Sequence, residues 1–128
     1  MQRILIVEDS ATMRSLIGAS LEELSQPTKL VEAESGFEAL RCLPREDFDL
    51  VVTDINMPDI NGLELVSFIK SNEKYAAIRL VIVSTEGSER DREKGLSLGA
   101  DAYLVKPFDP EALRAVVTDL LDARSNEG

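Results

Sequence analysis

Leu50-Val51-Val52-Thr53-Asp54-Ile55-Asn56-Met57-Pro58 decides how the rest of the chain is read. Its first four residues are apolar or β-branched without alternation, the pattern of a strand buried on both faces inside a parallel sheet. Pro58 has no N–H to donate and cannot continue a central strand, so Asp54 falls at the strand's C-terminal end. Ligands of open α/β sheets bind at that rim, which makes Asp54 a candidate reactive group. Taken alone it reads first as a turn or capping aspartate. The other strand ends decide between the two.

Outward from this strand, expected over residues 48–53, the pattern repeats. Ile4-Leu5-Ile6-Val7 is a first buried strand closed by Glu8-Asp9-Ser10, with Ser10 as N-cap of a helix whose apolar stripe is Met13, Leu16, Ile17, Leu21 and Leu24. Residues 28–33 alternate weakly and predict a more exposed second strand. A short helix over 36–43, with Phe37, Leu40 and Leu43 apolar, stops at Pro44. Asn61-Gly62 turns into a helix reaching about Ser71, with Leu65, Val66 and Ile69 inward. Leu80-Val81-Ile82-Val83 is a fourth strand, ending at Ser84-Thr85-Glu86-Gly87.

Residues 88–98 have helical spacing but are dominated by charge, and Gly95 inside them costs roughly 1 kcal/mol relative to alanine. This is expected to be the least stable helix, closed by Gly99. Residues 102–105 form a fifth strand before Lys106-Pro107-Phe108. Asp109-Pro110 starts a last helix with a core stripe of Leu113, Val116, Val117, Leu120 and Leu121. Five strand–helix units with short connections predict an α/β fold: a doubly wound parallel sheet with helices on both faces and right-handed crossovers. The domain spans 1–124, and 125–128 form a polar tail.

With 44% apolar and 30% charged residues the composition is that of a soluble globular protein. No apolar run approaches the roughly 18 residues of a membrane span, and Met1-Gln2-Arg3 lacks signal-peptide character. The expected location is cytoplasmic. One cysteine, Cys42, excludes an internal disulfide and reads as a buried thiol. Fourteen basic against 24 acidic residues give a net charge of −10, which opposes direct nucleic-acid binding and suits a bound cation. Without histidine, any metal should be hard and oxygen-bound.

In a parallel sheet the strand ends share one edge. Glu8 and Asp9, Asp54, Ser84 with Thr85, and Lys106 would therefore converge. Three carboxylates together repel unless a cation relieves them; the fitting ion is Mg²⁺, or Mn²⁺, which takes carboxylates, waters and phosphate oxygens. Asp54 held against such an ion and a lysine can act as nucleophile toward phosphorus. Lys106 and the ion would stabilise charge on the transferring group, and Ser84 would donate to one of its oxygens.

These residues carry a family resemblance. Val7-Glu8-Asp9-Ser10, the stretch from Val52 to Pro58 with Asn61-Gly62, Val83-Ser84, and Gly99-Ala100-Asp101-Ala102-Tyr103-Leu104-Val105-Lys106-Pro107-Phe108 resemble response regulator receiver domains, essentially over the whole chain. The resemblance implies the flavodoxin-like (CheY-like) strand order 2-1-3-4-5 and phosphotransfer from a sensor histidine kinase or phosphotransfer domain. It makes Asp54 the phosphoacceptor, Glu8 and Asp9 the Mg²⁺-holding pair, and the Asn56 backbone carbonyl a further ligand. Ser84 becomes the switch hydroxyl, Lys106 the phosphate-pairing lysine, and Lys106-Pro107 a cis peptide. Glu8 departs from the more frequent aspartate and Ser84 from the frequent threonine; neither loses a chemical group.

Tyr103 reads from spacing as a half-buried strand tyrosine; the resemblance makes it a switch aromatic that turns inward as Ser84 moves. Asn56 and Glu86, two residues beyond Asp54 and Ser84, would flank the phosphoryl group and admit hydrolytic water. Output is expected by protein contact through the face of the charged helix, fifth strand and last helix, in a monomer or a phosphorylation-dependent dimer. No enzyme activity on an external substrate is expected. Starting at Met1 and ending soon after the last helix, the chain is expected to be a stand-alone regulator, of chemotaxis or motility type. The alternatives are the excised receiver of a larger regulator with DNA-binding or enzymatic output, and a degenerate receiver acting only as a binding module.

Overall fold

The computed structural model describes residues 1–85 and 87–127. Strands β1 (Gln2–Val7), β2 (Thr28–Ala33), β3 (Leu50–Thr53), β4 (Arg79–Ser84) and β5 (Ala102–Val105) alternate with helices α1 (Ala11–Glu22), α2 (Gly36–Cys42), α3 (Gly62–Ser71), α4 (Glu89–Ser97) and α5 (Pro110–Glu127). All pairings are parallel, and the order is β2-β1-β3-β4-β5, as expected.

Because side chains alternate along a strand, the sheet supplies two cores. Leu5, Val7, Val51, Leu80 and Ile82 face one side, where Ala39, Leu65, Val66 and Ile69 from α2 and α3 cover them. Ile4, Ile6, Val52, Val81 and Val83 face the other, under Ile17 and Leu21 of α1 and Leu113, Val117 and Leu121 of α5. Each Val, Leu or Ile among them contributes about 1.5–3 kcal/mol on burial. The central strands are therefore sealed on both faces, and only their ends meet solvent.

Helix starts follow local capping chemistry. Ser10, Ser35, Asn61 and Ser88 each accept a backbone N–H three residues on, which satisfies one orphan donor of the first turn. Gly99 closes α4 with φ +116°, a backbone conformation that favours glycine.

Three expectations shift. Leu16 and Phe37, placed on apolar stripes, are 43% and 55% exposed. In α2 the inward face belongs instead to Gly36, Ala39 and Cys42, small residues that let the helix lie close to the sheet. Pro44 falls within a 3₁₀ turn, Leu43–Arg45, that continues α2. Ser125, Asn126 and Glu127, expected in a tail, prolong α5, and Gly128 lies outside the described residues. Cys42 is a buried free thiol as read, its pKa raised by burial.

Candidate metal centre

The ladder brings the acidic residues together. Glu8 N–H donates to the Ala33 carbonyl at 3.1 Å and Asp54 N–H to the Val7 carbonyl at 3.1 Å, so both carboxylates leave the sheet at the same level. Lys106 N–H donates to the Ser84 carbonyl at 2.7 Å, extending β5 beside β4, and the following Lys106–Pro107 peptide is cis.

Ligand oxygens of Glu8, Asp9 and Asp54 all lie within 4.8 Å of one another. Glu8 and Asp54 are buried, at 1% and 7% exposure, while Asp9 is exposed and opens the cluster to solvent. The Lys106 ammonium stands 2.6 Å from Glu8 Oε1 and 3.3 Å from Asp54 Oδ2. One ammonium against three carboxylates leaves an excess of negative charge. Desolvation raises the Glu8 pKa, an effect that its hydrogen bonds from Lys106 and the Ser10 N–H oppose. The donor set is all carboxylate oxygen with no imidazole or thiolate beside it, which fits a hard divalent cation.

Asp54 is oriented by its two neighbours in sequence. Its Oδ1 accepts the Ile55 N–H at 2.7 Å, and Thr53 Oγ1 donates to its carbonyl at 3.0 Å. Gly62 N–H closes the β3–α3 loop onto the Ile55 carbonyl at 2.8 Å. A carboxylate fixed through one oxygen, with an ammonium at the other, is oriented as a nucleophile or as a ligand for a cation.

Glu8, Asp9, Asp54 and Lys106 thus meet as the sequence reading required. Ser84 is fully buried at the end of β4, in register with Val105 beside Lys106. Asn56 is exposed in the loop after Asp54; Glu86 lies outside the described residues. Tyr103 is already buried, at 5% exposure, near the Gly95 backbone in α4.

Three contributors escaped the sequence reading. Arg14 Nη1 donates to the Glu8 carbonyl at 2.9 Å while its Nε pairs with Glu32 at 3.1 Å, tying the acidic turn to β2. Asp59, in the β3–α3 loop, accepts N–H groups of Gly36 and Phe37 at the start of α2. The sequence marks Gly62 only as a turn residue, yet a Cβ there would lie 1.9 Å from the Asp54 carbonyl oxygen. Such roles depend on contacts that only the folded chain makes; only the Asn-Gly pair carries a local signal.

The sequence model of the response regulator receiver domain matches residues 4–118. A chemotaxis protein CheY homolog of Campylobacter jejuni is 40% identical over 127 residues, covering 98% of this chain and 97% of its own. The solved chemotaxis response regulator CheY4 of Vibrio cholerae superposes with a TM-score of 0.84 at 30% identity, covering 94% of this chain and 98% of its own. The Mn²⁺-bound form of response regulator Rcp1 does so with a TM-score of 0.79 at 25% identity, covering 94% and 91%. No helix among the described residues is long and apolar enough to cross a membrane. Since the match runs through every strand that builds the acidic rim, the chain belongs to the response regulator receiver family.

Proposed function

We propose that this protein is a phosphorylation-switched signalling domain of the chemotaxis type. An Asp54 carboxylate oxygen attacks the phosphorus of a phosphohistidine on a sensor kinase or phosphotransfer domain. The P–N bond breaks, an acyl phosphate forms on Asp54, and the imidazole leaves with its electron pair. Glu8, Asp9, Asp54 and the Asn56 carbonyl would hold Mg²⁺, which when bound supplies positive charge against the phosphoryl oxygens. Lys106 pairs with the phosphoryl group, and Ser84 donates to it.

The output surface in this reading is the face of α4, β5 and α5, onto which Tyr103 transmits the state of Ser84. Gly95 is the one buried residue of α4, so that helix is lightly anchored and suited to a two-state element. Asn56 and Glu86 admit hydrolytic water and keep the phosphorylated state short-lived. The observation that carries the proposal is the Lys106 ammonium 3.3 Å from an Asp54 oxygen beside two further carboxylates. The coverage of 97% of the Campylobacter chemotaxis relative supports the pathway class.

Acetyl phosphate with Mg²⁺, read by intact-protein mass, tests it. A gain of one phosphoryl group that needs Mg²⁺ and disappears in Asp54→Asn is expected. Mg²⁺ binding without any gain would leave a binding module, and the phosphoacceptor reading would be wrong.

A further inference from the structure

Glu8 is asked to serve a cation, yet both of its carboxylate oxygens are already engaged. Oε1 accepts from the Lys106 ammonium at 2.6 Å, and Oε2 accepts the Ser10 N–H at 3.1 Å. Charge-assisted N–H···O⁻ bonds run about 2.7–2.9 Å, so the ammonium's main partner is Glu8, and Asp54 Oδ2 at 3.3 Å is the weaker one. The pair is nearly closed to solvent, with side-chain exposures of 10% for Lys106 and 1% for Glu8. Water screens such a contact little, and separating its partners is costly unless a new partner replaces the old.

Main-chain movement cannot easily loosen the contact. Glu8 N–H is in the ladder with Ala33, and its carbonyl takes Arg14 Nη1 at 2.9 Å. Release must come from side-chain torsions, of Glu8 or of Lys106. An aspartate at this position would end one methylene short of where Oε1 now sits.

We infer that Glu8 is a positioning residue for Lys106. It holds the ammonium in a resting place 3.3 Å from Asp54 Oδ2, and a phosphoryl group on Asp54 gains Lys106 as its main partner by drawing it off Glu8. The free energy of that release is subtracted from the phosphoryl group's hold on the domain, as when a binding-competent state is only fractionally populated. This rests on the phosphoacceptor reading above but adds a competition that the metal-binding role of Glu8 does not contain.

Beryllofluoride, which mimics a phosphoryl group on a carboxylate, is the probe. Its affinity is measured by calorimetry at Mg²⁺ concentrations shown by titration to saturate each variant. Glu8→Gln and Glu8→Asp are both expected to bind it several-fold more tightly than the parent. In a Lys106→Ala background the same substitutions are expected to give no gain. Structural damage or loss of a metal ligand would lower affinity, so a gain that depends on Lys106 separates the roles. Equal or weaker binding in both variants, or a gain that survives Lys106→Ala, overturns the inference alone. Failure of the parent protein to bind beryllofluoride at saturating Mg²⁺ overturns the phosphoacceptor reading and this inference together.

Discussion

A methyl group at position 62 would lie 1.9 Å from the Asp54 carbonyl oxygen and 2.9 Å from the Ile55 Cα. These backbone atoms belong to the turn after β3, which the Asp54 N–H ties to Val7 and the Gly62 N–H ties to Ile55, so Gly62→Ala is expected to destabilise the fold by about 1–3 kcal/mol and to slow phosphorylation of Asp54. Gly18, inside α1, has nothing within 4 Å of a Cβ; Gly18→Ala should stabilise by roughly 0.5–1 kcal/mol and leave phosphorylation unchanged. Urea unfolding and acetyl phosphate kinetics on the two variants read both effects. A stable, fully active Gly62→Ala would mean that the β3–α3 loop does not press on Asp54. The sequence showed Asn61-Gly62 as a turn but not this role, because the contact joins the helix start to a strand end that only the folded chain brings near.

At the scale of elements, Asp59 joins the loop after β3 to the first turn of α2. Its carboxylate is held to a pKa of about 2, chiefly by the Phe37 N–H, against 3.8 unperturbed. A depressed carboxylate contributes stability above its unfolded pKa and loses it as pH falls through the folded value. The Asp59 contribution should therefore fade between about pH 4 and pH 2. The difference in denaturant midpoint between the parent and Asp59→Asn should shrink across that window, and a constant difference would refute the assignment. In α4, the cost of about 1 kcal/mol for Gly95 relative to alanine holds for a free surface position. In the fold a Cβ there would meet Ile82 Cδ1 at 2.8 Å and the Tyr103 ring at 3.2 Å. Gly95→Ala should therefore fail to give the usual gain in helix stability and should displace the Tyr103 ring, visible as shifts of its aromatic NMR signals. Unmoved Tyr103 signals would show that the ring and α4 are not in tight contact. The exposed Leu16 and Phe37 have a related origin: periodicity weights large apolar residues, whereas close helix–sheet approach selects small ones such as Gly36 and Ala39.

For the whole molecule, topology and rim were legible for one reason. Strands sealed on both faces read as unbroken apolar runs, so the first polar residue after each run marks the sheet edge. Glu8 and Asp54 follow that rule, and Ser84 closes its run as the last residue of β4, whereas Lys106 ends an apolar run on the edge strand β5, where Val105 is 43% exposed. What the rule cannot supply is which charge faces which, and the energetics depend on it. Three carboxylates against one ammonium, in a chain of net charge −10, make the metal-free state repulsive at this edge. A cation that binds only the folded chain stabilises it by RT ln(1 + [L]/Kd), about 2.7 kcal/mol at a hundredfold excess over Kd. Mg²⁺ should therefore raise Tm by on the order of 10 °C at that excess, and EDTA should reverse the shift. Asp9 is the exposed member of the trio, so Asp9→Asn removes repulsion without emptying a buried site. That variant should melt higher than the parent without metal and should lose most of the Mg²⁺ response. If it instead keeps the full response, the cation is not held by Glu8, Asp9 and Asp54 together. The two halves of the prediction have opposite signs, which a general loss of folding stability cannot produce.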